Sequence, residues 1–214
     1  MSAARLLICA DDYGYSPRYN LGILEAAETA AIDAAGAMVH RPWCDPAPLL
    51  GSGVEVGLHL EPGVEAAAVA VRAQADRFER LFGSRPAFID GHHHCHARAP
   101  LEAPVTELAA ELGVRVRAID GEHRTRLRAA GVSTPDRLIG RLSTAEPLVP
   151  REIAHVEGGG DPVEGWTEWM VHPGHADPGA GSSFDTEREQ DLAELLRLAR
   201  DEVLRGWRGL SAGR

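Results

Sequence analysis

Acidic and imidazole side chains recur at four separated places in the sequence, each at or after the end of a short apolar run. Asp11 and Asp12 follow LLICA, and His59 lies near the end of VEVGLHL. The segment HHHCH follows AFIDG, and HPGHAD follows TEWMV. One carboxylate and two imidazoles around a divalent cation leave positions open for water and substrate, which is typical of catalytic metal sites. A second carboxylate and a further histidine could then act as general base and general acid.

These residues also have ordinary structural interpretations. The two aspartates could precede a helix, but adjacent carboxylates repel one another unless a cation or a proton lies between them. A lone histidine such as His59, flanked by two leucines, is more often a hydrogen-bonded core residue than a ligand. The mid-chain cluster is harder to explain in this way, because an extended backbone would place His92, His94 and His96 on one side. We therefore expect at least one histidine of this cluster to bind a metal ion.

Short apolar runs alternate with longer helical patterns along the chain. They predict strands at residues 6–10, 37–40, 54–60, 87–90, 114–118 and 167–171. Helices are predicted at residues 20–31, 69–82, 101–112, about 135–142, and from a capping box at Thr186 and Glu189 onward. Residues 120–165 otherwise show little periodicity, and their glycines indicate a mobile loop that is the best candidate for a lid.

This alternation indicates βα units and a mainly parallel sheet. We expect a distorted (β/α) barrel with fewer or irregular units, because 214 residues are fewer than the roughly 250 of a regular eight-unit barrel. An open doubly wound sheet is the alternative. In both folds the carboxyl ends of the strands share one rim, so the four polar clusters should converge there.

Composition and charge exclude several function classes. Hydrophobic residues make up 44% of the chain and charged residues 25%, which is typical of a globular protein and predicts one domain over residues 1–214. The net charge of −10, without a basic patch, argues against a nucleic-acid partner. No apolar run approaches the roughly 18 residues of a membrane span. The N-terminus lacks the pattern of a secretory signal, and the three cysteines form no CxxC pair, so a cytoplasmic location is the simplest expectation.

Other catalytic motifs are missing from the sequence. It contains no G-x-S-x-G turn, no G-x-x-x-x-G-K-[ST] loop and no G-x-G-x-x-G turn, so neither an acyl-enzyme nor a nucleotide cofactor is indicated. The inventory of carboxylates and imidazoles instead favours metal-assisted hydrolysis of an amide or ester.

Four segments in a fixed order carry a family resemblance. ADDYGYSPRYNLGILEA, VGLHLEP, FIDGHHHCH and VHPGHAD resemble the YdjC-like carbohydrate deacetylases, which include chitooligosaccharide and hopanoid-associated deacetylases. The resemblance extends from Leu6 to about Asp177. It implies a distorted α/β barrel that removes an acetyl group from an N-acetylated sugar or glycoconjugate, with water attacking the amide carbonyl.

The resemblance also implies roles for individual residues. Asp12, His59 and His92 would be the metal ligands. Asp11 would be the base that takes a proton from the attacking water, and His172 the acid that protonates the leaving amine. The family implies Mg²⁺ as the cofactor, whereas two imidazoles and one carboxylate suit Zn²⁺ or another transition ion, which is the alternative.

Candidates for substrate contact are Tyr13, His94, His96 and Trp43. Tyr13 stands where relatives have phenylalanine and would add a hydroxyl to the pocket. Trp43, like Trp166 and Trp169, could stack on a sugar or pack in the core.

Two other functions are weighed against a deacetylase. Another metal hydrolase, such as a phosphoesterase, would need a cationic clamp, and the predicted strand ends carry few Lys or Arg residues. A metal-dependent sugar-binding or regulatory protein without turnover would not need Asp11. The expected partner is a small N-acetylated carbohydrate, and the sequence leaves open whether the chain forms a homodimer.

Overall fold

A computed structural model describes residues 4–63, 66–141, 143 and 146–208. Its strands are Arg5–Tyr13 (β1), Ala34–Ala37 (β2), Glu55–Leu60 (β3), Phe88–Gly91 (β4), Arg115–Val116 (β5), Arg137–Gly140 (β6) and Trp166–Val171 (β7). Its helices are Pro17–Glu28 (α1), Pro46–Gly51 (α2), Ala67–Phe82 (α3), Glu102–Leu112 (α4), Gly121–Ala129 (α5), Arg151–Glu157 (α6), Glu187–Leu198 (α7) and Glu202–Trp207 (α8). A short 3-10 helix, His92–Ala97, follows β4.

The seven strands form one parallel sheet in the order β5-β4-β3-β2-β1-β7-β6. Each strand lies beside its successor in the chain except β5 and β6, which form the two edges of the sheet, and β7 also pairs with β1. The chain therefore winds in one direction around a curled half-barrel. This confirms the predicted distorted barrel, whereas the alternative, a doubly wound sheet, would reverse its direction of winding at a switch point.

Strand β1 lies in the middle of the sheet and is buried on both faces. Leu6 and Ile8 point into the main core between sheet and helices, whereas Leu7 and Cys9 point to the other side and pack with Phe88. A strand that is covered on both faces has a continuous run of apolar residues, and LLICA is such a run. The apolar residues end at Ala10, so the strand carries two carboxylates to its carboxyl end.

The second half of the chain differs from the sequence-based expectation. Residues 120–165, predicted to be a lid loop, contain α5, β6 and α6. The predicted helix at 135–142 is wrong: β6 lies there and pairs with β7, although residue 142 is outside the described part of the chain. A four-residue strand is too short to establish a period, so its pairing partner decides its conformation.

Smaller differences have similar causes. The strand predicted at 37–40 lies at Ala34–Ala37, because its alanines carry little β propensity and only burial between β1 and β3 makes it a strand. The C-terminal helix is two helices rather than one, since α7 ends at Leu198. Thr186 precedes α7 without a side-chain capping bond, contrary to the predicted capping box. None of the helices in the described residues has the length and apolar character that crossing a bilayer requires.

Candidate active site

A cavity of about 370 Å³ lies at the carboxyl ends of the central strands. Its lining brings together all five residues that the family resemblance implies as metal ligands, base and acid, which are Asp11, Asp12, His59, His92 and His172. They come from β1, β3, the 3-10 helix after β4 and the segment after β7. The expected convergence of distant polar clusters on one rim is therefore observed.

Asp12, His59 and His92 form a compact group of donor atoms. Asp12 Oδ1 lies 3.3 Å from His59 Nε2 and 2.9 Å from His92 Nδ1. One donor atom from each residue lies within 4.8 Å of the other two. Asp12 has a φ of 73°, in the left-handed region that a non-glycine residue rarely adopts. This backbone conformation is strained, and such strain is characteristic of functional sites.

Asp90 orients His59 from the side away from Asp12. Asp90 Oδ1 lies 2.8 Å from His59 Nδ1, so the imidazole directs Nε2 toward the cavity. A carboxylate behind a histidine in this way fixes the ring and raises its basicity as a ligand. The neighbouring strand allows this arrangement through Gly36, where a Cβ would lie 3.1 Å from His59 Cβ and 3.3 Å from Asp90 Oδ1.

The environment of His59 favours a positive charge. Burial disfavours the protonated ring, but the carboxylates of Asp90, Asp11 and Asp12 outweigh burial and raise the pKa of His59 well above its ordinary value. A cation bound at Nε2 would take the place of that proton. The donor set therefore fits a divalent cation both in its atoms and in its electrostatics.

Two neighbouring acidic groups are less suitable for a metal ion. The clusters Cys9–Asp90–Glu168 and Asp11–His59–Asp90 also bring three donors within 4.8 Å of one another. Both already contain the buried guanidinium of Arg117, which ion-pairs with Asp11 at 2.7 Å, Asp90 at 2.8 Å and Glu168 at 2.6 Å. This side chain supplies the positive charge there, so the Asp12 group is the better cation site.

Asp11 is held as an ionised carboxylate by Arg117. The guanidinium donates through Nη1 to Oδ2 and through Nη2 to Oδ1, both at 2.7 Å. Burial opposes ionisation, but Arg117 and His59 together hold the pKa of Asp11 below its ordinary value. Each carboxylate oxygen keeps a further lone pair, so Asp11 can still accept a proton in the cavity.

His172 lies on another part of the cavity wall. Its ring stacks on Phe184 with centroids 5.1 Å apart and planes 18° from parallel. Its backbone N–H donates to Asp191 Oδ2 at 2.9 Å, which fixes the main chain after β7. Burial lowers the pKa of His172 in spite of the nearby carboxylates of Asp11 and Asp12, so the ring is a stronger acid once it is protonated.

The histidine cluster is not extended, and this expectation was wrong. His93 and His94 have φ values of 50° and 57°, so the backbone coils tightly between β4 and α4. As a result His92, His93 and His94 line the cavity, whereas His96 turns away and is fully buried. His96 Nε2 donates to the carbonyl of Arg117 at 2.9 Å. Its role is therefore to support Arg117, and it is not placed to contact a substrate.

Two other predicted contact residues also lie outside the cavity lining. Tyr13 is 1% exposed, and its hydroxyl donates to the carbonyl of Asp45 at 2.7 Å. Trp43 is 50% exposed, but it lies on the surface beyond the residues that line the cavity. Of the four candidates, His94 alone lines the cavity, and burial there lowers its pKa to about 4.

Sequence reasoning missed the arginines of the site. Arg98, Arg141 and Arg188 line the cavity, and Arg117 lies behind it, so the expectation that cationic residues are scarce there was wrong. Arg117 directly follows β5, and a charged residue at the end of a buried strand could have indicated it. Arg188 lies in α7, 176 residues from its partner Asp12, and no local pattern distinguishes it from the other arginines.

Comparison with known proteins agrees with this architecture. The crystal structure of an Enterococcus faecalis protein named for cellobiose-phosphate cleavage matches with a TM-score of 0.80 and 21% identity, over 99% of this chain and 98% of that one. A carbohydrate deacetylase of Geobacillus stearothermophilus is 30% identical over 223 residues, 88% of each chain.

A second relative matches a shorter part of the chain. A chitooligosaccharide deacetylase of Escherichia fergusonii is 29% identical over 146 residues, which are 52% of this chain and 58% of that protein. The family described as YdjC-like protein matches residues 5–61 and 64–205. The matched residues include every ligand and acid–base candidate of the cavity, and the chain belongs to the YdjC-like family.

Proposed function

We propose that this chain is a metal-dependent carbohydrate N-deacetylase, which hydrolyses the acetamide of an N-acetylated sugar to acetate and an amine. The single observation that carries the proposal is the meeting of Asp12, His59 and His92 beside an ionised Asp11. The relatives named carbohydrate deacetylase and chitooligosaccharide deacetylase support the substrate class.

Asp12, His59 and His92 would hold the divalent cation. When bound, such a cation polarises a carbonyl oxygen and makes a water molecule more acidic. Two imidazoles and one carboxylate are a donor set that suits Zn²⁺ or another transition ion, and Mg²⁺ is the ion implied by the family resemblance. Reconstitution of the chelated protein with each ion separates these alternatives.

Asp11 and His172 would carry the proton transfers. Asp11 is ionised, so it can accept a proton at a carboxylate oxygen while the water oxygen bonds to the acetyl carbon. Arg117 would keep its ion pairs with Asp90 and Glu168 when Asp11 takes up the proton. His172 would donate a proton to the sugar nitrogen as the C–N bond breaks, which allows the amine to leave.

Acetate release from N,N′-diacetylchitobiose tests the proposal. We expect turnover by the wild type, loss of turnover after chelation, and recovery when a divalent ion is restored. Asp11→Asn should lower kcat by roughly 10²-fold or more while metal content is unchanged, because the base is lost and the ligands are kept. Glu111→Gln is the matched control, since it makes the same chemical change on a side chain that is 59% exposed.

The alternatives give different results in the same assay. Full activity of Asp11→Asn would contradict its role as base. Metal binding without acetate release from a panel of N-acetylated sugars would favour a binding protein.

A phosphoesterase is the second candidate function, because Arg98, Arg141 and Arg188 line the cavity. Release of phosphate from sugar phosphates, without acetate release, would favour this candidate over a deacetylase.

A further inference from the structure

Arg188 joins the C-terminal helix α7 to the candidate metal ligand Asp12. Its side chain is 1% exposed, and its Nη2 donates to Asp12 Oδ2 at 2.5 Å. The guanidinium carbon Cζ lies over the ring of Tyr19, 3.8 Å from its centroid. Tyr19 is itself fixed, because its hydroxyl donates to Asp185 Oδ1 at 2.8 Å. The guanidinium is therefore held from two sides in one position.

This contact separates the functions of the two Asp12 oxygens. Oδ1 faces His59 and His92, as described above, whereas Oδ2 is occupied by Arg188. Oδ2 keeps a lone pair, but the positive charge of the guanidinium lies next to it, so Oδ1 is the oxygen that a cation would prefer. The contact thus orients Asp12 so that Oδ1 is directed toward the two imidazoles.

Asp12 needs such support because its backbone is strained. A left-handed conformation of a non-glycine residue costs about 1–3 kcal/mol and persists only where the surroundings impose it. Asp12 is also buried, and its partners in that position are His59, His92 and Arg188. Arg188 is the one of these partners that does not compete with a cation for Oδ1.

We propose that Arg188 is a positioning residue of the metal site, which holds Asp12 with Oδ1 directed toward the cation. The inference rests on the proposed function, since it assumes that Asp12, His59 and His92 bind a cation. It adds a residue of α7 to a site otherwise built from the strand ends. Metal binding then also depends on the packing of α7 against the barrel, because α7 carries Arg188.

Electrostatics and positioning predict opposite effects when Arg188 is replaced. Removal of a positive charge next to the site would, by Coulomb's law alone, strengthen the binding of a cation. Loss of an outer partner of a metal ligand typically weakens metal binding by roughly 10–100-fold. The direction of the change in affinity therefore decides between a charge effect and a positioning effect.

The experiment measures Zn²⁺ and Mg²⁺ binding to the chelator-stripped full chain by calorimetry or chelator competition. We expect Arg188→Met to bind Zn²⁺ roughly 10–100-fold more weakly, and Arg188→Lys to lose less because it keeps a charged donor. Arg197→Met is the matched control, because it removes an arginine from the same helix. The side chain of Arg197 is 53% exposed and pairs with Glu157 and Glu194 rather than with Asp12. Its affinity should equal that of the wild type.

A double-mutant cycle separates positioning from a merely structural role. If Arg188 acts through Asp12, Arg188→Met should cause no further loss of Zn²⁺ affinity in an Asp12→Asn background. An equal loss in both backgrounds would show a general effect of α7 and overturn the inference. If circular dichroism shows that Arg188→Met is unfolded, the cycle is repeated with Arg188→Lys. We then expect Arg188→Lys to weaken Zn²⁺ binding in the wild-type background and not in the Asp12→Asn background.

The outcomes also separate this inference from the proposed function. A wild-type chain that binds neither ion contradicts the metal-dependent activity itself. A wild-type chain that binds Zn²⁺, with Arg188→Met binding equally well or more tightly, overturns the role of Arg188 alone.

Discussion

Replacement of Arg117 by methionine should make the stability of this protein strongly dependent on pH. The guanidinium is 1% exposed and is paired with Asp11, Asp90 and Glu168, which are equally buried. Without it, three buried carboxylates lie close together with no buried arginine between them. Breaking a buried ion pair by removing one partner typically costs about 3–5 kcal/mol.

The loss of stability in Arg117→Met can be estimated from the proton that a buried carboxylate must take up when the arginine is absent. In the wild type the pKa of Asp11 is lowered, so Asp11 contributes stability above its unfolded pKa and loses it as the pH falls. In Arg117→Met, burial and mutual repulsion should raise the carboxyl pKa values, so the folded state takes up protons. To protonate one carboxyl group of ordinary pKa near 4 costs about 4 kcal/mol at pH 7 and about 1.4 kcal/mol at pH 5. The loss of stability should therefore shrink as the pH falls.

Urea unfolding at pH 7 and pH 5 measures this difference. We expect Arg117→Met to lose about 4 kcal/mol of unfolding free energy at pH 7, and roughly 2–3 kcal/mol less than that at pH 5. Arg197→Met, an exposed control, should lose less than about 1 kcal/mol at both values. A loss below 1 kcal/mol, or an equal loss at both pH values, would refute the assignment of Arg117 as the counter-charge of the three carboxylates.

Two further predictions concern the segment after β7. Gly22→Ala should cost about 1–3 kcal/mol in urea unfolding, because its Cβ would lie 2.5 Å from the Cα of Gly174; Gly51→Ala, with open space around it, is the control. A matching stability of the two variants would contradict this close approach. His172→Ala should lower acetate release from an N-acetylated sugar by roughly 10²–10⁴-fold, yet affect an aryl acetate much less, since a phenolate leaves without a proton. Equal losses on both substrates would exclude the role of acid.

The rim of the barrel could be predicted from local patterns. Apolar runs followed by charged residues predicted strands whose carboxyl ends meet, and Asp12, His59 and His92 meet there as expected. This inference needs only the parallel alternation of strands and helices, which a single sequence displays. The same reasoning failed for the strands Ala34–Ala37 and Arg137–Gly140, because they are short and their partners decide their conformation.

The conformation of the histidine cluster could not be read from its spacing. Alternation in HHHCH suggested an extended segment, but the backbone coils through two left-handed residues, His93 and His94. Such a conformation costs energy locally and is maintained by the packing around it. His96 consequently supports Arg117 from behind the site.

The sequence by itself indicated parallel strands and the clusters of carboxylates and imidazoles at their carboxyl ends, because both depend on residue types in and after short apolar runs, whereas the choice of Asp12, His59 and His92 within those clusters rested on the family resemblance. The tertiary structure alone decided how those donors are held. Arg117 reaches Asp11 across 106 residues, and Arg188 reaches Asp12 across 176. An isolated arginine has no period or motif that indicates its partner, so its role becomes visible only when packing has buried the guanidinium against a carboxylate.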